Sequence, residues 1–257
     1  MPAAQPRAIY DVKLAIPGYA GPLLRVRHCE LGTVADVMPN ADDAGALPRV
    51  FDEDITDFLG RSAAAVDVWY DQSGQGRHAT QTDPERQPFL RHADGRLLLD
   101  FRHRRFLHLP PATVPYGGAP FAILVKHGII DNPVGGIVGS GTYGVQNLTN
   151  CVRRNGSQYV NYFWSNDLFT AEDTYAPGNV VAFTFSDRNE RAAVVNGEVS
   201  ATAYARQRFS SPENNTIGKT YGELEYLEGE LEFVHITERF APLAVSLETG
   251  EWSCSGF

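Results

Sequence analysis

The chain has 257 residues, 22 basic and 31 acidic, for a formal net charge of −9. Hydrophobic residues make up 43% and charged residues 21%, ordinary globular usage that excludes a disordered chain. The acidic balance argues against nucleic acid as a partner, because neutralising phosphates needs a basic face. Three scattered cysteines, Cys29, Cys151 and Cys254, form neither a disulfide framework nor a zinc site.

Residues 1–7 show no basic stretch followed by an apolar one, so the expectation is synthesis in the cytoplasm without a secretory signal. Phe51, Ile55, Phe58 and Leu59 recur at helical spacing, with Asp52 or Asp54 as cap and Gly60 as stop, and predict one short helix. Residues 66–81 read as a strand entering a tight polar turn. There Trp69 and Tyr70 precede Asp71, Gln72 and Ser73, while Gly74 and Gly76 supply special backbone angles ahead of His78. The turn reads as a structural corner.

The basic stretch 101–109 is read as a solvated strand face flanked by core Phe101, Leu107 and Leu109, or as a patch for an anionic polysaccharide or partner chain. Residues 121–130 are apolar except for Lys126 and His127, a strand's length and far short of a bilayer span, so no membrane insertion is expected. Residues 135–141 lack the Lys and helix of a phosphate loop and read as glycine-rich strand ends, where another backbone or a sugar approaches closely. Residues 180–185 form a further strand, and Asn196-Gly197 between apolar runs predicts a hairpin.

Leu231 to Ile236 alternates in part and predicts a strand with one wet face; Glu228, Glu230 and Glu232 fall on a solvated face by period two. A second short helix is predicted from Pro242 to about Glu248, before a C-terminal tail at 251–257. Together these predict one all-β domain over 1–257, an antiparallel two-sheet jelly-roll sandwich with one or two short helices.

Ligand contact is expected at the aromatic and amide stretch 159–167. Sugars present apolar C–H faces and polar edges, which flat rings and amides match. The candidates are Tyr159, Asn161, Tyr162 and Trp164, joined from neighbouring loops by Tyr221 and Tyr226, and also by Tyr143. By alternation Tyr162 and Trp164 share one face, and Asn161 and Phe163 the other. Ser73 lies in no nucleophile elbow, and Cys151 reads as a buried, inert thiol. No histidine pair has metal spacing. No cofactor is expected, the metal is unknown, and a structural calcium is left open.

The run W-Y-D-Q-S-G-Q-G-R-H-A-T-Q at 69–81 resembles the signature of the alpha-L-arabinofuranosidase B catalytic domain, a concanavalin A-like (lectin/glucanase) sandwich. Residues 19–27 with 35–37, the segment 99–107 read as a strand pair, and 217–218 with 228–233 are similar to the same pattern in the same order, covering about 8–250. The resemblance implies an acid/base aspartate directly after an Ile-Gly-Gly turn, but Ile217-Gly218-Lys219 is followed here by Thr220. It implies a nucleophilic glutamate in the middle strands, yet no Asp or Glu occurs between Asp131 and Asp167. The family's adjacent cysteine pair is missing too.

The expectation is therefore a non-catalytic, lectin-like protein that binds polysaccharide. By the same resemblance, it would be a spike, fibre or adhesion component on the surface of a phage or phage-like particle, partnered by other particle proteins or itself. The rival readings are an active glycosidase using Glu223, Glu225 or Glu228, and a purely structural decoration protein docked by its tail.

Overall fold

The computed structural model describes residues 6–40, 46–51, 53–60, 63–204, 214–220 and 225–238, with the backbone of 244–245 and 252–253. All pairings between its strands are antiparallel. One layer is centred on Phe121–Ile130, which pairs with Val180–Phe185 on one side and Gly229–Thr237 on the other. Pro6–Asp11 extends it beyond Gly229–Thr237, and Glu190–Val195 and Glu198–Tyr204 extend it beyond Val180–Phe185. The second layer runs from Gln158–Tyr162 through Cys151–Asn155 and Val134–Gly139 to Thr216–Ile217. It continues through Leu107–His108 and Ala79–Thr80 to Ala64–Trp69, Leu24–His28 and Val34–Met38. The architecture is a β-sandwich with one small helix.

The core lies between the layers. Ile123, Val125, Phe183 and Ile236 from the first meet Val66, Trp69, Ile137 and Phe163 from the second, all at most 1% exposed. Burying such side chains stabilises the fold by about 1.5–3 kcal/mol each. Ala122, Leu124 and Ala182 face outward yet are covered by Val194 and Phe233. Period two therefore leaves no wet face on residues 121–125 of the central strand, in keeping with their unbroken apolar sequence.

At the predicted hairpin, Asn196 and Gly197 adopt φ of 51° and 85°, the left-handed pair that matches the twist of the strands they join. The predicted helix is shorter than its apolar spacing implied. It spans Ile55–Leu59 with Asp54 at its N-cap, and Phe51 lies outside it, 66% exposed. Residues 244–245 form a strand paired with 252–253, not part of the helix predicted there. The rest of that prediction and of the tail, with Cys254, lies outside the described residues. Residues 99–107 are not a strand pair either: Arg96–Asp100 pairs with Phe89–Ala93 and with Gly229–Thr237, and a turn separates it from Leu107–His108.

The polar corner joins the layers. Asp71 accepts hydrogen bonds from Ile9 N (2.9 Å), Ser73 N (2.8 Å), Ser73 Oγ (2.8 Å) and Arg77 N (3.0 Å), filling both carboxylate oxygens. Gln72 accepts from Ala15 N and donates to the carbonyls of Asp11 and Lys13. His78 Nδ1 accepts Asp71 N at 3.1 Å, and Tyr70 meets the imidazole edge-on at 5.0 Å. Trp69 is fully buried, 5.9 Å from the Tyr10 ring. Gly74 and Gly76 turn the chain at φ of 81° and 68°. The corner ties Ala64–Trp69 of one layer to Pro6–Asp11 of the other and turns its polar groups inward.

Candidate functional site

Cys151–Asn155 and Gln158–Tyr162 form a hairpin whose two faces do different work. Tyr162 lies opposite Cys151, and Arg153 follows two residues on, so these three share a face. Tyr159, Asn161 and Phe163 are fully buried on the other. Asn161 and Phe163 fall on the buried side as expected from sequence, and Tyr162 and Trp164 come together on the other, although the strand ends at Tyr162 and Trp164 follows in a left-handed turn.

Three rings converge on the outward face. Tyr143 stacks on Tyr162 at 6.1 Å and 27°, and Trp164 stands edge-on to Tyr143 at 4.4 Å and to Tyr162 at 5.8 Å. Tyr143 comes from the loop before Cys151, with exposed Val145 beside it. Burial, then the other's presence or Glu225, pushes both tyrosine hydroxyls above their ordinary range, so each remains an O–H at neutral pH. Trp164 and Ser165 both adopt left-handed backbone, φ 59° and 72°. For a bulky residue this conformation costs about 1–3 kcal/mol and persists only where surroundings impose it. Here Asp167 Oδ1 accepts Phe163 N at 2.7 Å and Asn147 N donates to Phe163 O at 2.9 Å, closing the loop around the strained pair.

A cation and a carboxylate border the rings. The Arg153 guanidinium lies 4.3 Å from the Tyr162 ring centroid and pairs with Glu225 at 2.5 Å, while Thr220 Oγ1 donates to the other Glu225 oxygen. Glycines make the approach possible. A Cβ on Gly136 would collide with Glu225 O, and one on Gly139 with Thr220 O. The glycine-rich strand therefore admits a neighbouring backbone. Sequence reasoning gave no sign that Thr220, standing where the resembled family has an acid, would carry a carboxylate on its hydroxyl.

Other expected contacts are not in this cluster. Tyr159 is fully buried, its hydroxyl donating to His127 Nε2 at 2.7 Å, and burial pushes it up to about 12. Asn161, also fully buried, donates to Asn150 Oδ1 and Cys151 O. Neither can meet a ligand without unfolding the strand. Tyr226 is 4% exposed and belongs to a separate group, with Phe106 at 6.0 Å and Arg104 at 4.9 Å. Tyr221 and Glu223 lie outside the described residues. Cys151 is buried as expected, and burial pushes its thiol up to about 12.

The remaining charged segments are built into the fold. Glu230 and Glu232 are 7% and 6% exposed, not solvated, and the strand expected to have a wet face is buried along nearly its whole length. Glu230 pairs with Arg91 (3.0 Å) and Arg102 (3.1 Å), Glu232 with Lys126 (3.1 Å). In place of a basic strand face, residues 102–105 form a turn. Arg102 is engaged by Asp100, Asp131 and Glu230, and the left-handed His103 and Arg104 point their backbone N–H groups at Glu228. Among the described residues, no group of three or more His, Cys, Asp or Glu side chains is placed to hold a metal, and no helix is long and apolar enough to cross a membrane.

These features define an antiparallel β-sandwich bearing an aromatic platform on the outer face of one layer. The fold is similar to that of a GH54 α-L-arabinofuranosidase solved as a point mutant soaked with 4-nitrophenyl α-L-arabinofuranoside: TM-score 0.73 at 11% identity, over 97% of this chain and 64% of that one. It is also similar to an arabinofuranosidase complexed with arabinofuranosyl-α-1,2-xylobiose, TM-score 0.68 at 13% identity, over 91% of this chain and 59% of that one. The chain thus spans under two thirds of the length of these structures. No protein-family model matches it, and no curated protein matches it in sequence.

Proposed function

We propose that the chain is a lectin-like carbohydrate-binding module whose platform is Tyr143, Tyr162 and Trp164, with Arg153 as a polar edge. One observation carries this reading: a half-buried tryptophan is held in strained backbone so that its ring joins two others on an outer face. Rings so arranged suit the apolar face of a pyranose or furanose, and the tyrosine hydroxyls suit its edge. The sandwich shared with arabinofuranosidases is consistent with a sugar ligand. The finer reading, a spike or fibre on a phage-like particle contacting cell-surface polysaccharide, rests on the 69–81 resemblance, the acidic balance and the absence of the family's carboxylates at their expected places. Co-purification with a particle tests it.

Glu225 favours a second reading, glycoside hydrolysis, because it puts an acid at Thr220 after all. A retaining enzyme needs two carboxylates about 5–5.5 Å apart, free to attack and to transfer a proton. Both Glu225 oxygens are engaged, by Arg153 and Thr220, and Asp167 already accepts a backbone N–H. Binding without cleavage is the better fit.

Trp164→Ala and Phe163→Ala separate platform from core. On a glycan array including arabinoxylan and capsular polysaccharide, Trp164→Ala is expected to lose binding while its urea midpoint stays near the parent's. Phe163→Ala, in the core, costs about 3–5 kcal/mol. Undiminished glycan binding by Trp164→Ala overturns the proposal. Release of 4-nitrophenol from the arabinofuranoside, abolished by Glu225→Gln, establishes the second reading.

A further inference from the structure

Arg191 sits in Glu190–Val195, paired with Phe185 and Ala203, and is 2% exposed. An apolar side chain at this position would fill the core without the desolvation cost of a guanidinium. Burial pulls Arg191 from its ordinary 12.5 down to about 9, despite the nearby Asp167 charge. What the cation does is specific. Nη2 donates to both Asn161 O and Asn161 Oδ1 at 3.0 Å, Nη1 donates to Asn166 O, and the guanidinium carbon lies 3.6 Å from the Phe163 ring centroid. All four contacts therefore fall on 161–166, the segment that delivers Trp164.

The contacts extend into a chain of amides. Asn161 Nδ2 donates to Asn150 Oδ1 (2.9 Å), and Asn166 Nδ2 donates to Asn147 Oδ1 (2.6 Å). Asn147 and Asn150 end the loop that carries Tyr143; Asn161 and Asn166 bracket the loop that carries Trp164. Both ring-bearing loops are thus hydrogen-bonded, directly or through one amide, to a single buried cation. The strained Trp164 and Ser165 lie between two of its anchor points.

We infer that Arg191 is the positioning residue of the platform, holding Trp164 against Tyr143 and Tyr162 from inside the sandwich. This rests on the sugar-binding reading for its functional consequence, but not for its geometry. Planar bidentate donation is what a guanidinium supplies and an ammonium does not.

The test reads Trp164 under native conditions, as the acrylamide quenching of each protein minus that of its Trp164→Phe counterpart. In Arg191→Met, Trp164 quenching is expected to rise about threefold as the loop loosens, with Arg191→Lys between it and the parent. Affinity for arabinoxylan is expected to fall about tenfold in parallel, because a ring misplaced by an ångström no longer matches the sugar face. A purely structural arginine would change the unfolding midpoint but not Trp164 quenching in the folded protein. Parental quenching in folded Arg191→Met overturns the inference and leaves the binding reading standing. Arabinoxylan affinity lost in Arg191→Met but kept in Trp164→Ala overturns both. If Arg191→Met does not fold, Arg191→Lys, which keeps the charge but loses the guanidinium fork on Asn161 and Asn166, is read in its place. Raised quenching there supports the inference, and unchanged quenching overturns it.

Discussion

The corner at 69–78 and the platform at 143–164 both combine aromatic rings, amides and an aspartate around a tight turn. In the corner Asp71 takes four donors, Gln72 three partners, and the left-handed positions are glycines. In the platform Asp167 holds one backbone N–H, and left-handed positions fall on Trp164 and Ser165 as well as on Gly144 and Asn147. One turn uses its polar groups to join two layers; the other leaves three rings outward and carries strain to do so. The polar and glycine pattern at 69–78 thus marks, in the sequence itself, a turn that joins the layers, whereas the turn of the proposed platform carries no such pattern.

The sharpest way to break this comparison is to remove the aspartate from the corner. Asp71→Ala orphans the N–H groups of Ile9, Ser73 and Arg77 together and is expected to cost about 3–5 kcal/mol in urea denaturation. The molecules that remain folded should keep the parental pattern of glycan-array binding. A variant with normal stability and lost binding would make the corner a ligand site after all.

A smaller effect separates the two faces of the platform strand by pH. Behind Tyr162, the Tyr159 hydroxyl meets His127, whose other ring nitrogen faces Gly128 O at 2.7 Å. Burial holds the imidazole down to about 4 from its ordinary 6.5. As pH falls through 6.5 the unfolded chain takes up a proton that the folded state refuses. Stability contributed by neutral His127 is therefore complete above 6.5 and lost between 6.5 and about 4, by about 3 kcal/mol. His127→Gln should flatten that slope in urea titrations across pH 4–7. If Trp164 quenching tracked the same titration while the protein stayed folded, the His127–Tyr159 pair as well as Arg191 would govern the platform.

Much of the fold is legible in residues whose environment is local. The central strand reads correctly because apolar side chains on both faces need no knowledge of what covers them, and Asn196-Gly197 because its φ values follow from residue type. Tyr162 and Trp164 do come together as expected, but period two is not the cause, because the strand ends at Tyr162 and Trp164 is delivered by a left-handed turn. Glu230 and Glu232 are misread because Arg91, Arg102 and Lys126, which bury them, lie over a hundred residues away in sequence. Tyr159 and Asn161 are misread because aromatic and amide composition says nothing of which face meets the core. Arg191 is invisible for a stronger reason: an arginine beside a Glu in a strand reads as surface, and its burial is set by loops from another layer.

The smallest effect bears on the strain itself. Gly74 and Gly76 have none to release, so an alanine at Gly74 can only cost stability, by about 1 kcal/mol. Ser165 is exposed and holds φ 72°, so Ser165→Gly relieves strain while making the unfolded chain more flexible. The net is expected to be a gain of about 0.5 kcal/mol in urea, with affinity for the glycan bound on the array reduced a few-fold because Trp164 is held less firmly. Stability and affinity moving in opposite directions is the signature of strain that serves presentation. If both rise together, the left-handed turn is a tolerated defect, and the platform owes its arrangement to ring packing alone.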